Sequence, residues 1–368
     1  MYGRSAAEIV TGIVGRRSKG DLIRVIKSIV HACRVAATAL ALLCVLSATA
    51  HAQAAADPLP SWNDGPAKQS ILKLVAATTT PGSAEFVAPG DRFATFDQDG
   101  TLWVEQPIYT QAVFSMDRVI ALAPHHPEWK TVEPFKSVIA GDRAAIAKFT
   151  TTDLEKILFA THTGMTTGEF TAIVKDWIAK AQNPRWHRPF TDLIYQPMLE
   201  VMEYLRANGY RTYIVTGGGQ DFVRTYADRT YGIPPEQIIG SALDTELTYN
   251  DAGKAILMRP PKLLLNNNFS GKPEDIYLFI GRHPQAAFGN STGDREMLEY
   301  TQAGGKGALL MLVLHDDPVR EYAYGPAEGL PASKVGTFTQ ALYDEAQSKG
   351  WNVISMKKDW KRIFSFDK

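Results

Sequence analysis

Two aspartates, Asp97 and Asp99, stand two residues apart in the stretch FATFDQDGTLWVEQP. They follow a short apolar run that is typical of a buried strand. Burial of two carboxylates is costly unless a cation or hydrogen-bond donors compensate for their charge. One interpretation is a plain turn, because Asp-Gly is a common turn pair. The other is an active site that uses both carboxylates.

Polar side chains also follow two later apolar runs. The run YRTYIVT ends at Thr216, before three glycines that begin with Gly217, and the run AAFGN ends at Asn290, with Asp294 four residues later. In an open parallel sheet, ligands bind beyond the carboxyl ends of the strands. A turn explains one such strand end but not all three, so the sequence favours an active site.

The residue types indicate which chemistry this site would perform. Carboxylate, amide and backbone carbonyl oxygens suit Mg²⁺, which often takes a substrate phosphate as a further ligand. No cluster of His and Cys has the spacing of a zinc site. The hydroxyl of Thr216, the glycine N–H groups after it and the N-terminus of the next helix could hold a phosphate.

The two aspartates can divide the work of phosphate transfer. One carboxylate can act as a nucleophile and form an aspartyl-phosphate. A second carboxylate two residues away can protonate the leaving alkoxide and then deprotonate water. A lysine is needed to balance the charge; we favour Lys272 in SGKPEDI, and Lys262 in MRPPKLLL is the alternative.

The elements that must position these residues alternate between strand and helix. The predicted strands are Arg92–Phe96, Tyr210–Thr216, Ala286–Asn290 and Ala308–His315, with another in QIIGSAL and two more around a turn at Asn250–Gly253. The predicted helices include Gln69–Ala77, Pro197–Asn208 and Phe222–Tyr231. This alternation predicts an α/β fold with a parallel sheet and helices on both faces.

The stretch 109–195 interrupts that alternation with a mainly helical pattern. Two capping boxes, Thr152–Glu155 and Thr166–Glu169, precede apolar-periodic runs in it. We interpret it as an inserted helical cap. The α/β core would then consist of residues 53–108 and 196–368.

The first 52 residues have the organisation of a signal peptide. Basic residues up to Arg34 are followed by the uncharged run Val35–Ala50 and by the cleavage pattern Ala50-His51-Ala52. The mature chain is expected to be exported, periplasmic or secreted, with no stable membrane insertion after cleavage. An uncleaved anchor is the alternative.

Composition excludes some classes of function. Lys+Arg and Asp+Glu are equal at 39 each, which gives no reason to expect nucleic acid as a partner. The two cysteines, Cys33 and Cys44, lie inside the predicted signal peptide. A mature chain that starts near Gln53 would have neither a disulfide nor a thiol nucleophile.

The motifs together resemble the haloacid dehalogenase-like (HAD) hydrolase superfamily, most closely its phosphoserine-phosphatase-like branch with a helical cap. The matching pieces are DQDGTL, the apolar run that ends in VTGG, GKPED and GNSTGDREML, in that order between residues 92 and 298. The resemblance implies a Rossmann-like core and hydrolysis of a small phosphorylated metabolite.

Carried over by motif, the resemblance also implies a role for each residue. Asp97 would be the nucleophile and Asp99 the general acid/base, while Thr216, Gly217 and Lys272 would bind the phosphoryl group. Mg²⁺ would be held by Asp97, Asp99, Asn290 and Asp294. Relatives usually have aspartate where this chain has Asn290, and an amide can still offer an oxygen ligand there. On this reasoning Asn290→Asp would strengthen Mg²⁺ binding.

Three other functions are compatible with parts of this pattern. A phosphotransferase or mutase would use the same two aspartates. A hydrolase of carbon–halogen bonds fits less well, because such enzymes lack the second aspartate. A catalytically silent periplasmic binding protein would not need Asp97, Asp99, Lys272 and Asp294 together. The oligomeric state and the substrate have no readable signal in the sequence.

Overall fold

A computed structural model describes residues 57–305 and 307–367, with these elements. The helices are α1 (Pro66–Thr79), α2 (Thr110–Leu122), α3 (Phe135–Ala140), α4 (Arg143–Ile146), α5 (Thr151–His162), α6 (Thr167–Ile178), α7 (Gln196–Ala207), α8 (Gln220–Arg224), α9 (Ala227–Tyr231), α10 (Gly271–Ile280), α11 (Arg295–Ala303), α12 (Gln340–Lys349) and α13 (Met356–Asp359). The strands are β1 (Phe93–Phe96), β2 (Gln182–Asn183), β3 (Arg188–Pro189), β4 (Arg211–Gly219), β5 (Ile238–Leu243), β6 (Glu246–Tyr249), β7 (Ala255–Met258), β8 (Leu263–Leu265), β9 (Ala286–Gly289), β10 (Leu309–Leu314) and β11 (Asn352–Ser355). Short 3₁₀ helices lie at Pro89–Asp91, Ala123–His125, Pro127–Lys130, Phe190–Asp192, Pro235–Gln237, Thr292–Asp294 and Ala327–Gly329.

The central sheet has the strand order β11-β10-β9-β1-β4-β5-β8. All neighbouring pairs are parallel except β5 with β8, which is antiparallel. Strand β1 lies in the middle, with Phe93 opposite Arg211 of β4 and Ala94 opposite Ala286 of β9. The predicted parallel α/β sheet is therefore confirmed.

Successive side chains of the buried strands point to opposite faces of the sheet, and each face has its own apolar core. Ala94 and Phe96 pack into the core that also contains residues of α1 and α7. Phe93 packs into the opposite core, with residues of α10, α11 and α12. Helices on both faces shield this sheet from water, as its nearly continuous apolar strands require.

Residues 110–178 contain five helices, with a small apolar core formed by Val119, Trp129, Val138 and Ile157. The capping box predicted at Thr166 is confirmed, since Thr166 and Glu169 exchange both bonds. The box predicted at Thr152–Glu155 is wrong, because α5 is capped two residues earlier by Thr150. The Asp153 side chain accepts from the N–H and hydroxyl of Thr150, which fixes the earlier start.

Several element boundaries differ from the sequence prediction. Strand β4 continues through the glycines to Gly219, with an irregular register against β5 between Thr216 and Gly219. The helix predicted at Phe222–Tyr231 is two short helices, α8 and α9, because the chain leaves the helical conformation at Tyr226. Strands β8 and β11 were not predicted, since β8 has only three residues and two of the four residues of β11 are polar.

The hairpin of β6 and β7 is confirmed, with its turn at Asn250–Gly253. The signal peptide predicted at 1–52, with Cys33 and Cys44, lies outside the described residues. Within residues 57–305 and 307–367, no helix is long and apolar enough to cross a membrane.

Candidate active site

Three neighbouring strands bring the predicted site residues to one edge of the sheet. Strand β1 lies between β4 and β9, and the carboxyl ends of all three point the same way. Asp97 follows β1, Thr216 precedes the three glycines that end β4, and Asn290 follows β9. The N–H of Asp97 donates to the carbonyl of Phe288 at 2.8 Å, which extends the pairing of β1 with β9 up to the site.

Lys272 joins the two motifs that are farthest apart in this part of the sequence. It lies in the first turn of α10, and its Nζ donates to Oδ1 of Asp97 and to Oδ1 of Asp294, both at 2.6 Å. A third bond goes to the carbonyl of Val215 at 2.8 Å. The alternative lysine, Lys262, is exposed and pairs with Asp244 instead.

Burial and mutual repulsion dominate the electrostatics of Asp97. Loss of solvation and the nearby charge of Asp294 raise the pKa of Asp97 to about 8, although Lys272 opposes this shift. Burial alone would lower the pKa of Lys272, but the charges of Asp294 and Asp97 outweigh it and raise that pKa. The lysine therefore remains an ammonium ion that two carboxylates share.

Asp99 has a different environment from Asp97. It is half-buried, and the indole N–H of Trp103 donates to its Oδ1 at 2.7 Å. Burial raises the pKa of Asp99 to about 6, against the opposing effects of Trp103 and Lys272. The ring of Trp103 stacks on Tyr226 with 5.2 Å between centroids, which fixes the donor. The pKa of Asp97 is the higher of the two, so ionisation of Asp97 near neutral pH needs positive charge beyond that of Lys272.

Asp294 lies in the 3₁₀ turn that follows β9, and both of its oxygens have partners. Oδ1 faces Lys272, while Oδ2 accepts from the N–H groups of Asn290 at 2.9 Å and Ser291 at 3.0 Å. Gly289 leaves room for this carboxylate, because a β-carbon at position 289 would overlap the Asp294 side chain. The loop after β9 is thereby folded onto Asp294.

The carboxylates around Lys272 form a donor set of the chemical type that a magnesium ion prefers. Asp97, Asp99 and Asp294 in their ionised forms carry three negative charges against one ammonium, which leaves an excess that a divalent cation would neutralise. The side chains and the carbonyl of Asp99 offer oxygen only, as Mg²⁺ prefers. The donors therefore fit in chemical type, although no group of three His, Cys, Asp or Glu in the described part of the chain has the geometry of a formed metal site.

The glycines after Thr216 are closely surrounded. Thr216 is 1% exposed, and its Oγ1 accepts from the N–H of Gly218 at 3.0 Å. The carbonyl of Gly217 accepts from Ser241, and a side chain at position 217 would overlap Asn268. A β-carbon on Gly218 would lie 3.9 Å from Oδ2 of Asp99, so this loop borders the acid/base candidate.

Gln111 connects the helical region to this loop and was missed in the sequence. It lies in the first turn of α2, and its Oε1 accepts from the N–H of Gly219 at 2.7 Å. Its amide nitrogen lies 3.2 Å from Nε2 of His162, a buried residue whose pKa is lowered to about 3, chiefly by burial. Arg259 Nε donates to the His162 carbonyl at 2.8 Å. These contacts join residues far apart in sequence, so no local motif signals them.

Two further polar residues lie buried behind the first motif. Glu105 is only 1% exposed, and burial raises its pKa well above the usual value. His315 is 2% exposed, and its Nε2 lies 2.8 Å from the carbonyl of Gly100. Its Nδ1 lies 3.2 Å from Glu321. Position after a strand was a signal for His315, but nothing distinguished it from a turn.

The model of one protein family matches the chain over residues 94–299, which is more than half of its length. That family is described as haloacid dehalogenase-like hydrolase. The matched range starts in β1 and ends within α11, and it includes Lys272 and its three partners, Asp97, Val215 and Asp294. No curated protein matches the chain.

Solved structures similar to the chain have low sequence identity. A protein of unknown function from Bordetella pertussis Tohama I is 16% identical over 72% of this chain and 97% of its own, with a TM-score of 0.43. A phosphoserine phosphohydrolase-like protein from Francisella tularensis is 16% identical over 61% and 88%, with a TM-score of 0.35. A probable phosphoserine phosphatase from Vibrio cholerae is 14% identical over 63% and 59%, with a TM-score of 0.33.

Proposed function

Because the chain belongs to the haloacid dehalogenase-like hydrolase family, we propose that it hydrolyses a small phosphomonoester with Mg²⁺ through an aspartyl-phosphate on Asp97. The observation that carries this proposal is the buried ammonium of Lys272, which bonds to Asp97 and Asp294 at 2.6 Å each. A lysine in this position balances the charge of a carboxylate nucleophile and of an incoming phosphate. Asp99 stands beside the same edge of the sheet.

In the first half of the proposed reaction, a carboxylate oxygen of Asp97 attacks phosphorus as the ester P–O bond breaks. The leaving alkoxide takes its proton from the carboxyl group of Asp99. A pKa of about 6 keeps part of Asp99 protonated near neutral pH, as a general acid requires. Lys272 holds the nucleophile and offsets charge on the phosphoryl oxygens.

In the second half, the Asp99 carboxylate takes a proton from water, and the water oxygen attacks phosphorus. The bond between phosphorus and the Asp97 oxygen breaks, which releases inorganic phosphate and restores the nucleophile. Asp99 is protonated again at the end of this step, so the cycle is complete. Thr216 and the N–H groups of the glycine loop would contact the phosphoryl oxygens.

The residues that would hold Mg²⁺ are Asp97, Asp294 and the carbonyl of Asp99, with the amide of Asn290 beside them. The ion would supply positive charge that favours the ionised form of Asp97 and screens the phosphate from the carboxylates. The proposal includes export of the mature chain and a small phosphorylated metabolite as substrate, with phosphoserine as one candidate. It involves no nucleic acid.

The proposal is tested by hydrolysis of p-nitrophenyl phosphate with and without Mg²⁺, using Lys272→Gln and Lys262→Gln as a matched pair. Loss of the buried ammonium is expected to lower kcat/KM by about a hundredfold or more. Lys262→Gln should retain wild-type activity because its side chain lies on the surface. Equal activity of the two variants, or a wild type that hydrolyses no phosphomonoester, would contradict the proposal.

A further inference from the structure

The carboxyl group of Glu105 is buried next to the candidate site without a basic partner. It is 1% exposed and follows the first motif, in the segment that leads from β1 to α2. No lysine or arginine of the described residues forms an ion pair with it. Its Oε1 accepts from the side-chain amide of Asn290 and from the hydroxyl of Tyr324, both at 2.7 Å.

This contact determines which way the amide of Asn290 points. Glu105 Oε1 is an acceptor whether the group is ionised or carries a proton on its other oxygen. The nitrogen of Asn290 must therefore face Glu105, and the amide oxygen must face the opposite side. There it accepts from the hydroxyl of Thr101 at 3.2 Å.

Asn290 thereby connects two loops that carry site residues. Its amide oxygen holds Thr101 in the loop after β1, two residues beyond Asp99. Its backbone N–H donates to Oδ2 of Asp294, whose other oxygen bonds to Lys272. An unbroken series of hydrogen bonds therefore extends from Glu105 to the shared lysine.

Close packing prevents the pair from rearranging. Gly100 has a φ of +76°, and a β-carbon there would overlap both Asn290 and Glu105. Gly336 has a φ of +64°, and a β-carbon there would overlap Glu105 from another loop. Both positions need glycine for their backbone conformation and for the space that Glu105 occupies.

We infer that Glu105 is a positioning residue of this site: its acceptor oxygen fixes the amide of Asn290 and, through it, the relative placement of the Asp99 and Asp294 loops. This inference rests on the proposed function for the reaction that these loops serve. A hydrocarbon of similar size would fill the same space at less cost, because a buried carboxyl must be desolvated. The carboxyl group at position 105 is therefore explained by its acceptor oxygen, because packing requires only its volume.

The inference reverses the expectation for Asn290→Asp. From the sequence, the added carboxylate was expected to strengthen Mg²⁺ binding. In the structure, the variant would lose the amide N–H that donates to Glu105 Oε1 and would place a second carboxyl group against Glu105. The variant should instead misplace the loop and weaken cation binding. Adding Glu105→Gln to the same chain would give the new carboxylate an amide donor. The double variant should therefore regain most of the Mg²⁺ affinity that Asn290→Asp loses.

The test compares wild type, Asn290→Asp, Glu105→Gln and the double variant, by Mg²⁺ calorimetry, thermal unfolding without metal, and kcat. Asn290→Asp should weaken Mg²⁺ binding and lower kcat by about tenfold, and adding Glu105→Gln should restore most of both. Glu105→Gln alone keeps an acceptor oxygen, so its Mg²⁺ affinity and kcat should stay within about threefold of wild type.

Glu105→Leu has no acceptor oxygen, so it should weaken Mg²⁺ binding and lower kcat as Asn290→Asp does. Glu200→Gln, at a buried carboxyl that bonds to Ser61, is the remote control.

Additive effects of the two substitutions in both calorimetry and unfolding would overturn the inference. Wild-type Mg²⁺ affinity and kcat in folded Glu105→Leu would also overturn it, even with a lower Tm, since Glu105 would then be only structural. If the double variant does not fold, Glu105→Gln and Glu105→Leu are compared in Mg²⁺ affinity and kcat. Equal values in these two variants would overturn the inference. A wild type without phosphatase activity would contradict the proposed function. The non-additivity of Asn290→Asp and Glu105→Gln in Mg²⁺ binding and in thermal unfolding would still test the contact between Glu105 and Asn290.

Discussion

At the scale of single residues, the site keeps its nucleophile candidate in an unfavourable environment. The pKa of Asp97 is about 8 in the folded chain against an ordinary value of 3.8, chiefly because of burial and then of Asp294. A carboxyl that ionises less readily when folded binds more protons in the native than in the unfolded state. Its contribution to stability is therefore present at low pH and is lost as the pH rises from about 4 to about 8.

Asp97→Asn separates the cost in stability of a buried Asp97 carboxylate from the contribution of that carboxylate to catalysis. The variant cannot attack phosphorus, so kcat should fall by about three orders of magnitude or more. It also removes a charge that the fold disfavours, so its Tm at pH 8 without metal should equal or exceed that of wild type. The measurements are steady-state kinetics and thermal unfolding at pH 5 and pH 8. Retention of Mg²⁺-dependent turnover, or a lower Tm at pH 8 only, would contradict this account.

Asp99→Asn should have an effect that depends on the leaving group. An alkyl phosphate needs a proton on its leaving alkoxide, whereas p-nitrophenolate leaves well without one. The first half-reaction of the variant should therefore be slowed about a hundredfold or more with the alkyl ester and much less with the aryl ester. Burst kinetics with both substrates measure this difference. Equal slowing with both esters would assign the proton transfer to another group.

The sequence predicted the residues that stand in short motifs and missed those that are joined only by the fold. Asp97, Asp99, Lys272 and Asp294 are recognisable because each adjoins a strand end or a glycine, and the structure brings them together. Their catalytic roles remain predictions. Glu105 bonds to Asn290, 185 positions away, and no local periodicity encodes such a contact.

At the scale of elements, helix α2 is tied directly to the loop at the end of β4. Gln111 in its first turn accepts from the N–H of Gly219, and Gly218 beside it lies next to Asp99. The helical region therefore contributes to the shape of the site. Through this contact, residues of the helical region can influence the loop that is proposed to bind phosphate.

Gln111→Leu should loosen this loop without removing a reacting group. The N–H of Gly219 would lose its partner, so KM for p-nitrophenyl phosphate should rise about threefold to tenfold while kcat changes less. Gln347→Leu, at an exposed position of α12, is the control and should leave both constants unchanged. An unchanged KM in Gln111→Leu would show that the contact does not influence substrate binding.

The buried His162 gives helix α5 a dependence on pH. Burial, then the charge of Arg259, lowers its pKa to about 3, so the folded chain binds fewer protons than the unfolded chain below about pH 6.5. The stabilising contribution is complete above pH 6.5 and is lost as the pH falls toward 3. His162→Gln should be less stable at pH 7.5 but should lose less stability on acidification to pH 4.5. Denaturant unfolding at both pH values measures the free energy of unfolding. An equal loss of that free energy in the variant and in wild type would contradict this prediction.

At the scale of the whole molecule, the sheet order explains why distant motifs converge. Strand β1 lies between β4 and β9, so residues near 97, 216 and 290 meet at one edge although almost two hundred positions separate them. Alternation of strand and helix predicted the parallel core correctly. The edge strands β8 and β11 escaped prediction because Leu263–Leu265 is too short and Asn352–Ser355 is too polar for a reliable pattern.

We propose that Asp97 becomes covalently phosphorylated during turnover. The most direct test is to mix the protein with a phosphomonoester and Mg²⁺, quench in acid within one turnover, reduce the acyl phosphate with tritiated borohydride, and locate the tritium label by peptide mapping. Label is expected on the peptide that contains Asp97, and none in Asp97→Asn. Rapid hydrolysis without any labelled protein, or label at another residue, would contradict it.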